Sequence, residues 1–335
     1  MSAATMLRPY GQATIATVLV ALGFGVALSG ESRAFSLALT AVWALMAVGW
    51  NLISGYAGPV ALGQGAFFGL TSFVATVAFA HYGLSPYVGI PVGVALSLLL
   101  AAVVGAITLR LSGLYFALAT LTIPLLLGIF TRYFGVFEIP RPYVGDSWAY
   151  MQFSSSVPYY VMAAIALVAG VWYTAVMEKS KTGRYLVAIR ENERAAASAG
   201  VPVYRYKFFA FMMASLFAAV AGGLYSQLSF VFNTEEAYGL SVSIEPLLIV
   251  LIGGAGKVLG PIVGSLVVIP LGQVLEYYFA DVPGLNQILF AALLLVVALW
   301  LRGGIVGFVE RRLSRDARKA GMVAKEMEPD EVSRI

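Results

Sequence analysis

The residues able to do chemistry in this 335-residue chain are few, and their spacing does not suit catalysis. There is no cysteine and a single histidine, His81, so neither thiolate nor imidazole metal clusters are expected. Paired carboxylates and Ser/His/Asp arrangements are equally missing from the pattern, so no enzyme and no resident cofactor is expected. Gly256-Lys257 has the outline of a phosphate-binding loop, but the match fails. Leu251 stands where the first glycine belongs, and Val258 replaces the Ser/Thr that would hold magnesium. What remains are neutral hydrogen-bonding groups set among glycines. The stretch Asn51–Gly69, NLISGYAGPVALGQGAFFG, carries Asn51 and Gln64 beside Gly55 and Gly58. A second break, Gly253-Gly254-Ala255-Gly256-Lys257-Val258-Leu259-Gly260-Pro261, resembles Gly55 to Gly63 with one gap. Amide side chains both donate and accept hydrogen bonds, which is the chemistry of holding a polar solute.

The elements around these residues belong to a membrane. Hydrophobic residues make up 60% of the chain and charged ones 11%, against about a quarter in soluble domains, and mean hydropathy is +0.86. Only eight charges precede Val176: Arg8, Glu31, Arg33, Arg110, Arg132, Glu138, Arg141 and Asp146. The uncharged runs between them approach the roughly 20 residues that cross a bilayer. Spans are expected near 13–30, 34–53, 60–80, 86–109, 114–134, 157–176, 207–230 and 284–301, with a broken apolar region at 240–278. The first is read as a retained span, because no cleavage site precedes Glu31.

Charge sets orientation. Residues 177–207 hold seven Lys/Arg against three acids, and 302–335 hold eight against six. Both segments are therefore expected in the cytoplasm. The region between them must then cross an even number of times, so 240–278 counts as two passes or one re-entrant element, with Lys257 at a cytoplasmic turn. The expectation is an all-α polytopic membrane protein of about ten passes, with broken Gly-rich helices, a cytoplasmic loop and both termini inside. Residues 1–12 form the cytoplasmic N-terminus, 13–301 the transmembrane domain and 302–335 a charged tail. The basic pI reflects this loop charge, and no nucleic-acid partner is expected.

In that setting each motif has two readings. Irregular backbone inside a bilayer is tolerated where it is buried in protein or lines a wet cavity. Asn51, Gly55, Gly58, Gln64, Gly253, Gly254 and Gly256 are thus candidates to line a translocation path; small-residue helix packing is the alternative. Glu245, ahead of Pro246, is read as a carboxylate at a helix N-terminus or as a functional intramembrane acid, and Glu276 is treated in the same way. The segment 182–207, TGRYLVAIRENERAAASAGVPVYRYK, reads as a short charged helix ended by Gly200 and Pro202. Ala195, Ala196 and Ala199 give it a small apolar patch. Docking into a partner's groove and lying on the membrane surface are the two alternatives.

Four blocks resemble the permease family of branched-chain amino acid ABC importers, within it the longer LivM-like subunit type. They are NLISGYAGPVALGQGAFFG (51–69), LSGLYFALATL (111–121), TGRYLVAIRENERAAASAGVPVYRYKFFAF (182–211) and SIEPLLIVLIGGAGKVLGPIVG (243–264), in the family's order. The resemblance implies a second permease as heterodimer partner, two cytoplasmic ATPases that bind ATP and magnesium, an extracytoplasmic solute-binding protein, and a bacterial inner membrane. It further implies that 177–206 is the ATPase-coupling loop, carried by Gly183, Arg184, Arg190, Glu191, Glu193, Ala195, Ala196 and Gly200. The chain departs from the family at Ala61 (often Ser), at Gln64 (often His), and in the outer loop 137–153, which lacks a T-G-G-x-x-G segment. Since the family also moves urea, amides and aromatic acids, the solute stays open. A stand-alone ion-coupled transporter is the alternative function. It would need titratable groups at midplane, and the interiors of the unbroken spans hold no Asp, Glu, Lys or Arg.

Overall fold

In the computed structural model, residues 9–279, 288, 292 and 303–312 are described. Twelve helices carry the labels used here: α1 (Pro9–Ala27), α2 (Glu31–Trp50), α3 (Gln64–Tyr82), α4 (Pro86–Thr108), α5 (Leu114–Tyr133), α6 (Val157–Lys179), α7 (Lys181–Glu191), α8 (Glu193–Ser198), α9 (Val203–Leu228), α10 (Thr234–Tyr238), α11 (Leu240–Gly253) and α12 (Gly260–Phe279). A π-helical turn, Asn51–Tyr56, prolongs α2. Among the described residues eight helices are long and apolar enough to cross a membrane: α1, α2 with its turn, α3, α4, α5, α6, α9 and α12. The 14-residue α11 is apolar but shorter. The polytopic helical architecture expected from composition is present. Of the roughly ten expected passes, the one at 284–301 lies, but for residues 288 and 292, outside the described residues.

Helix α2 is the centre of the molecule and is buried along most of its length. It packs against α6, α9, α11 and α12. Without a hydrophobic driving force between helices in lipid, close contact has to come from small side chains. Gly222 of α9 shows why: a Cβ there would sit 2.0 Å from the Phe68 carbonyl oxygen of α3. Trp43 of α2 stacks on Phe68 at 5.6 Å between ring centroids. The outward rows of α4 (Leu99, Val103, Ile107) and α5 (Leu114, Ile129, Phe130) are more than half exposed, as a face turned to lipid or to another subunit would be.

Every described pass fits one sidedness. One end gathers the start of α1, the turn after α2, α7, α8, the α11–α12 turn and residues 303–312. Lys179 Nζ, for instance, sits 3.6 Å over the Tyr10 ring. The opposite end carries the 134–156 loop. There β1 (Glu138–Pro140) pairs antiparallel with β2 (Val231–Asn233), Ile139 opposite Phe232. Among the described residues this small ribbon and an isolated bridge between Ser147 and Gln152 are the departures from an all-helical description. Arg141 Nη1 donates to the Gln227 carbonyl at 2.6 Å and so caps the end of α9.

Three local expectations are corrected. Glu245 does not open a helix: α11 begins at Leu240, so the carboxylate lies beyond the first turn and the helix dipole does not account for it. The 182–200 segment is two helices, because Asn192 adopts extended backbone (φ −159°) between them. The first span starts at Pro9, with Gly11 and Gln12 already buried in α1.

Candidate coupling and translocation site

The two glycine-rich breaks meet at the end of the molecule that carries α7 and α8. Asn51 joins them. Its Nδ2 donates to the Lys257 carbonyl at 3.0 Å, and its Oδ1 accepts from the Gly256 N–H at 2.8 Å. The side chain is 1% exposed and faces backbone. The contact demands glycine at Gly55, where a Cβ would lie 2.0 Å from Asn51 Oδ1 and 2.8 Å from the Gly256 nitrogen. Asn51 opens the π-turn, and such turns are frequent at functional sites. Gly253 is held as closely, with a would-be Cβ 1.8 Å from the Gly260 carbonyl oxygen, so α11 and α12 cross backbone to backbone. Gly254 (φ +130°) and Gly256 (φ +71°) make the turn between them in conformations that only glycine adopts easily.

Arg190 of α7 reaches into this junction. Its Nη1 donates to the Gly55 carbonyl at 2.7 Å, and Nη2 pairs with Glu191 at 2.9 Å. Gly58 (φ +101°) passes beneath it, its would-be Cβ 3.2 Å from Arg190 Cγ. A Cβ on Gly256 would come within 2.6 Å of Arg190 Nη1. Thus one guanidinium touches the first break and crowds the second. Around it, Tyr56 OH donates to Glu178 Oε2 at 2.7 Å and Lys257 pairs with Glu310 at 2.6 Å. Gln12 Nε2 also donates to Glu310, at 2.8 Å. The start of α1, the α2 turn, the α6 end, α7, the α11–α12 turn and the 303–312 segment are thereby tied together.

The two short helices are positioned by caps. Ser180 Oγ accepts from the Gly183 N–H at 3.3 Å and starts α7; Asn192 Oδ1 accepts from the Ala195 N–H at 3.0 Å and starts α8. Gly183 fits a corner where a Cβ would lie 2.3 Å from the Met177 carbonyl oxygen. Gly200 (φ +84°) closes α8 as read from sequence: its N–H bonds Ala197 O, and the Val201 N–H bonds Ala196 O. Glu193 pairs with Lys207 of α9 at 2.5 Å, the lysine side chain 10% exposed. The alanine patch is split. Ala196 points inward at 6% exposure, while Ala195 and Ala199 stay exposed. Arg184 donates to the Lys179 carbonyl at 3.1 Å. Between α7, α8 and the residues Gly58, Pro59, Leu111 and Gly113 runs an open groove of about 490 Å³.

Gln64 stands apart from this junction. It begins α3, on the far side of the irregular 57–63 stretch, and is 2% exposed. Neither its Oε1 nor its Nε2 has a hydrogen-bond partner, and neither has Ser243 Oγ on α11.

A protein-family model described as "Branched-chain amino acid transport system / permease component" matches residues 32–298. The chain belongs to this permease family. It is 23% identical to the high-affinity branched-chain amino acid transport system permease protein LivM of Salmonella typhimurium, over 84% of this chain and 72% of that one. The ribose import permease protein RbsC of Haemophilus influenzae is 26% identical, over 78% of this chain and 81% of its own. The branched-chain amino acid transport permease protein LivH of Methanocaldococcus jannaschii, named as probable, is 26% identical over 75% and 84%. No solved structure matches.

Of the path candidates in this permease, Asn51, Gly55, Gly58, Gly253, Gly254 and Gly256 form the junction, and Gln64 alone lies away from it. Sequence reading missed Glu178, Glu310 and Lys207 as members of the junction and its loop, and Ser243 as Gln64's counterpart. Ser243 sat within a recognised block, but a lone serine in an apolar helix carries no periodic signal.

Proposed function

We propose that this chain is the membrane permease subunit of an ATP-binding-cassette importer for branched-chain amino acids or a related small polar solute. Solute arrives from an extracytoplasmic binding protein, and partner ATPases that hold ATP and magnesium drive its passage. Family membership supports the importer role. The single observation that carries the mechanism is Arg190 on the Gly55 carbonyl, backed by Asn51 on Gly256 and Lys257.

The physical argument is one of leverage. α7 and α8 form a capped, charged unit on one end of the molecule, and exposed Ala195 and Ala199 offer a smooth surface to an ATPase. Closure of two ATPases pushes that unit. Arg190 passes the push to the α2 turn, and Asn51 passes it to the α11–α12 turn, so both broken helices move as one. The Glu193–Lys207 pair ties the same unit to α9. The groove between α7, α8 and the α4–α5 turn gives the unit room to move. In this reading the α7–α8 end is cytoplasmic, in line with its excess of Lys and Arg, and the partner permease covers part of the exposed apolar surface.

The test is purification of the tagged chain from native membranes in mild detergent. An ATPase and a second permease co-elute with the wild-type chain. Ala195→Asp with Ala199→Asp releases the ATPase and keeps the second permease. A chain that elutes alone and carries solute without ATP contradicts the proposal.

A further inference from the structure

Gln64 and Ser243 pose a question that the junction does not answer. Buried polar side chains are almost always hydrogen-bonded, and inside a membrane no bulk water rescues those that are not. Here three side-chain atoms on two elements lack partners: Gln64 Oε1, Gln64 Nε2 and Ser243 Oγ. The residues are 2% and 0% exposed. Ser243 lies beside the start of α3, since a Cβ added to Gly65, the residue after Gln64, would lie 2.7 Å from Ser243 Oγ.

The backbone adds donors at the same place. α3 is a 19-residue helix that begins at Gln64 with no side-chain cap. Its bonding starts with the Ala66 N–H on the Gly63 carbonyl at 3.0 Å, so the N–H groups of Gln64 and Gly65 precede it. A helix N-terminus carries partial positive charge and attracts a carboxylate. Ser243 is eleven residues before Gly254 in the sequence, or roughly 16 Å along α11 from the coupling end at 1.5 Å per residue. That depth is about the middle of a bilayer core.

We infer that Gln64, Ser243 and the first turn of α3 form a mid-membrane relay site for the polar head of an α-amino acid. The carboxylate takes hydrogen bonds from Gln64 Nε2–H, Ser243 Oγ–H and the Gly65 N–H. The ammonium donates to Gln64 Oε1. One amide side chain thereby satisfies both ends of a zwitterion, which a neutral polyol would not require. Gly65 keeps the contact free of a side chain, where even a Cβ would lie 2.7 Å from Ser243 Oγ, so α3 and α11 must separate to admit the head group, and the apolar side chain of the solute then faces Val242 and Pro124, both near Gly65. The site is closed in this conformation and opens as the broken helices move. This inference rests on the importer reading and names the solute class within it.

The test uses the whole co-purified assembly in liposomes, with radiolabelled L-leucine and D-ribose as probes and ATP supplied on the coupling side. Gln64→Met removes both polar atoms at similar size in an apolar setting, and Gln64→Glu keeps an acceptor while placing negative charge against the carboxylate. Co-elution of the ATPase with each variant serves as the folding check. L-leucine uptake falls roughly tenfold or more in Gln64→Met, the loss of hydrogen bonds to charged groups. It falls further in Gln64→Glu and severalfold in Ser243→Ala. Full leucine uptake in Gln64→Met and Ser243→Ala would mean that the pair only packs or holds water, and would overturn the inference. So would ribose uptake that is high in wild type and survives in Gln64→Glu, which marks a polyol site. Absence of any ATP-dependent uptake in wild type would instead sink the importer reading itself.

Discussion

At the scale of single residues, a few side chains hold polar backbone that the glycine-rich breaks leave unpaired. Asn51 satisfies the Gly256 N–H and the Lys257 carbonyl together. Asn51→Ala strands both, at roughly 1–3 kcal/mol each. The variant is expected to melt several degrees lower in detergent, measured by dye-binding thermal shift; an unchanged midpoint would remove Asn51 from the junction. Gly183→Ala forces a Cβ to within 2.3 Å of the Met177 carbonyl oxygen, and overpacking of this kind costs about 1–3 kcal/mol. The prediction is lower yield of folded protein on size exclusion. Both residue types were legible as important from spacing alone. Their roles were not, because a lone sequence does not say whether a buried amide faces a solute or another backbone segment 205 residues away.

At the scale of elements, the decisive feature is the break between α7 and α8. Sequence reading located the segment, its Gly200 stop and its charge. It expected one helix, since Asn is compatible with a helix interior. Asn192 instead caps the second helix, a side chain-to-backbone bond that competes with helix continuation. That turn rotates Ala196 inward and leaves Ala195 and Ala199 outside, so the expected three-alanine patch becomes two. Asn192→Ala removes the cap at about 1 kcal/mol and lets the two helices fuse. ATPase retention on the purified chain is expected to drop, with overall fold preserved by circular dichroism. Retention equal to wild type would show that the break has no part in docking. α11 illustrates the reverse case. The apolar region is expected from 240, where the helix does begin, but Glu245 ahead of Pro246 is also read as a helix N-terminus, because a proline after an acid resembles a start signal and hydropathy continues through both.

At the scale of the whole molecule, composition and charge were enough for a polytopic helical fold and for which loops share an end. The reason is physical: the bilayer allows so few backbone solutions that hydropathy carries most of the architecture. The contacts across that end, including Lys257–Glu310 and Tyr56–Glu178, join residues far apart in sequence and were invisible to local patterns. Because the chain has no cysteine, its sidedness is directly readable with introduced thiols. Ala197→Cys in α8 is expected to react with an impermeant maleimide only when the cytoplasmic face is open. Tyr143→Cys, on the opposite loop and 82% exposed, reacts from outside. The reverse labelling would invert the topology.

The central claim is that one guanidinium transmits ATPase motion to both broken helices. The most direct test is ATP-driven L-leucine uptake by the reconstituted assembly carrying Arg190→Ala. Loss of a charged hydrogen bond to the Gly55 carbonyl predicts uptake about tenfold or more below wild type, with the ATPase still bound to the chain. Wild-type uptake in that variant would contradict the account.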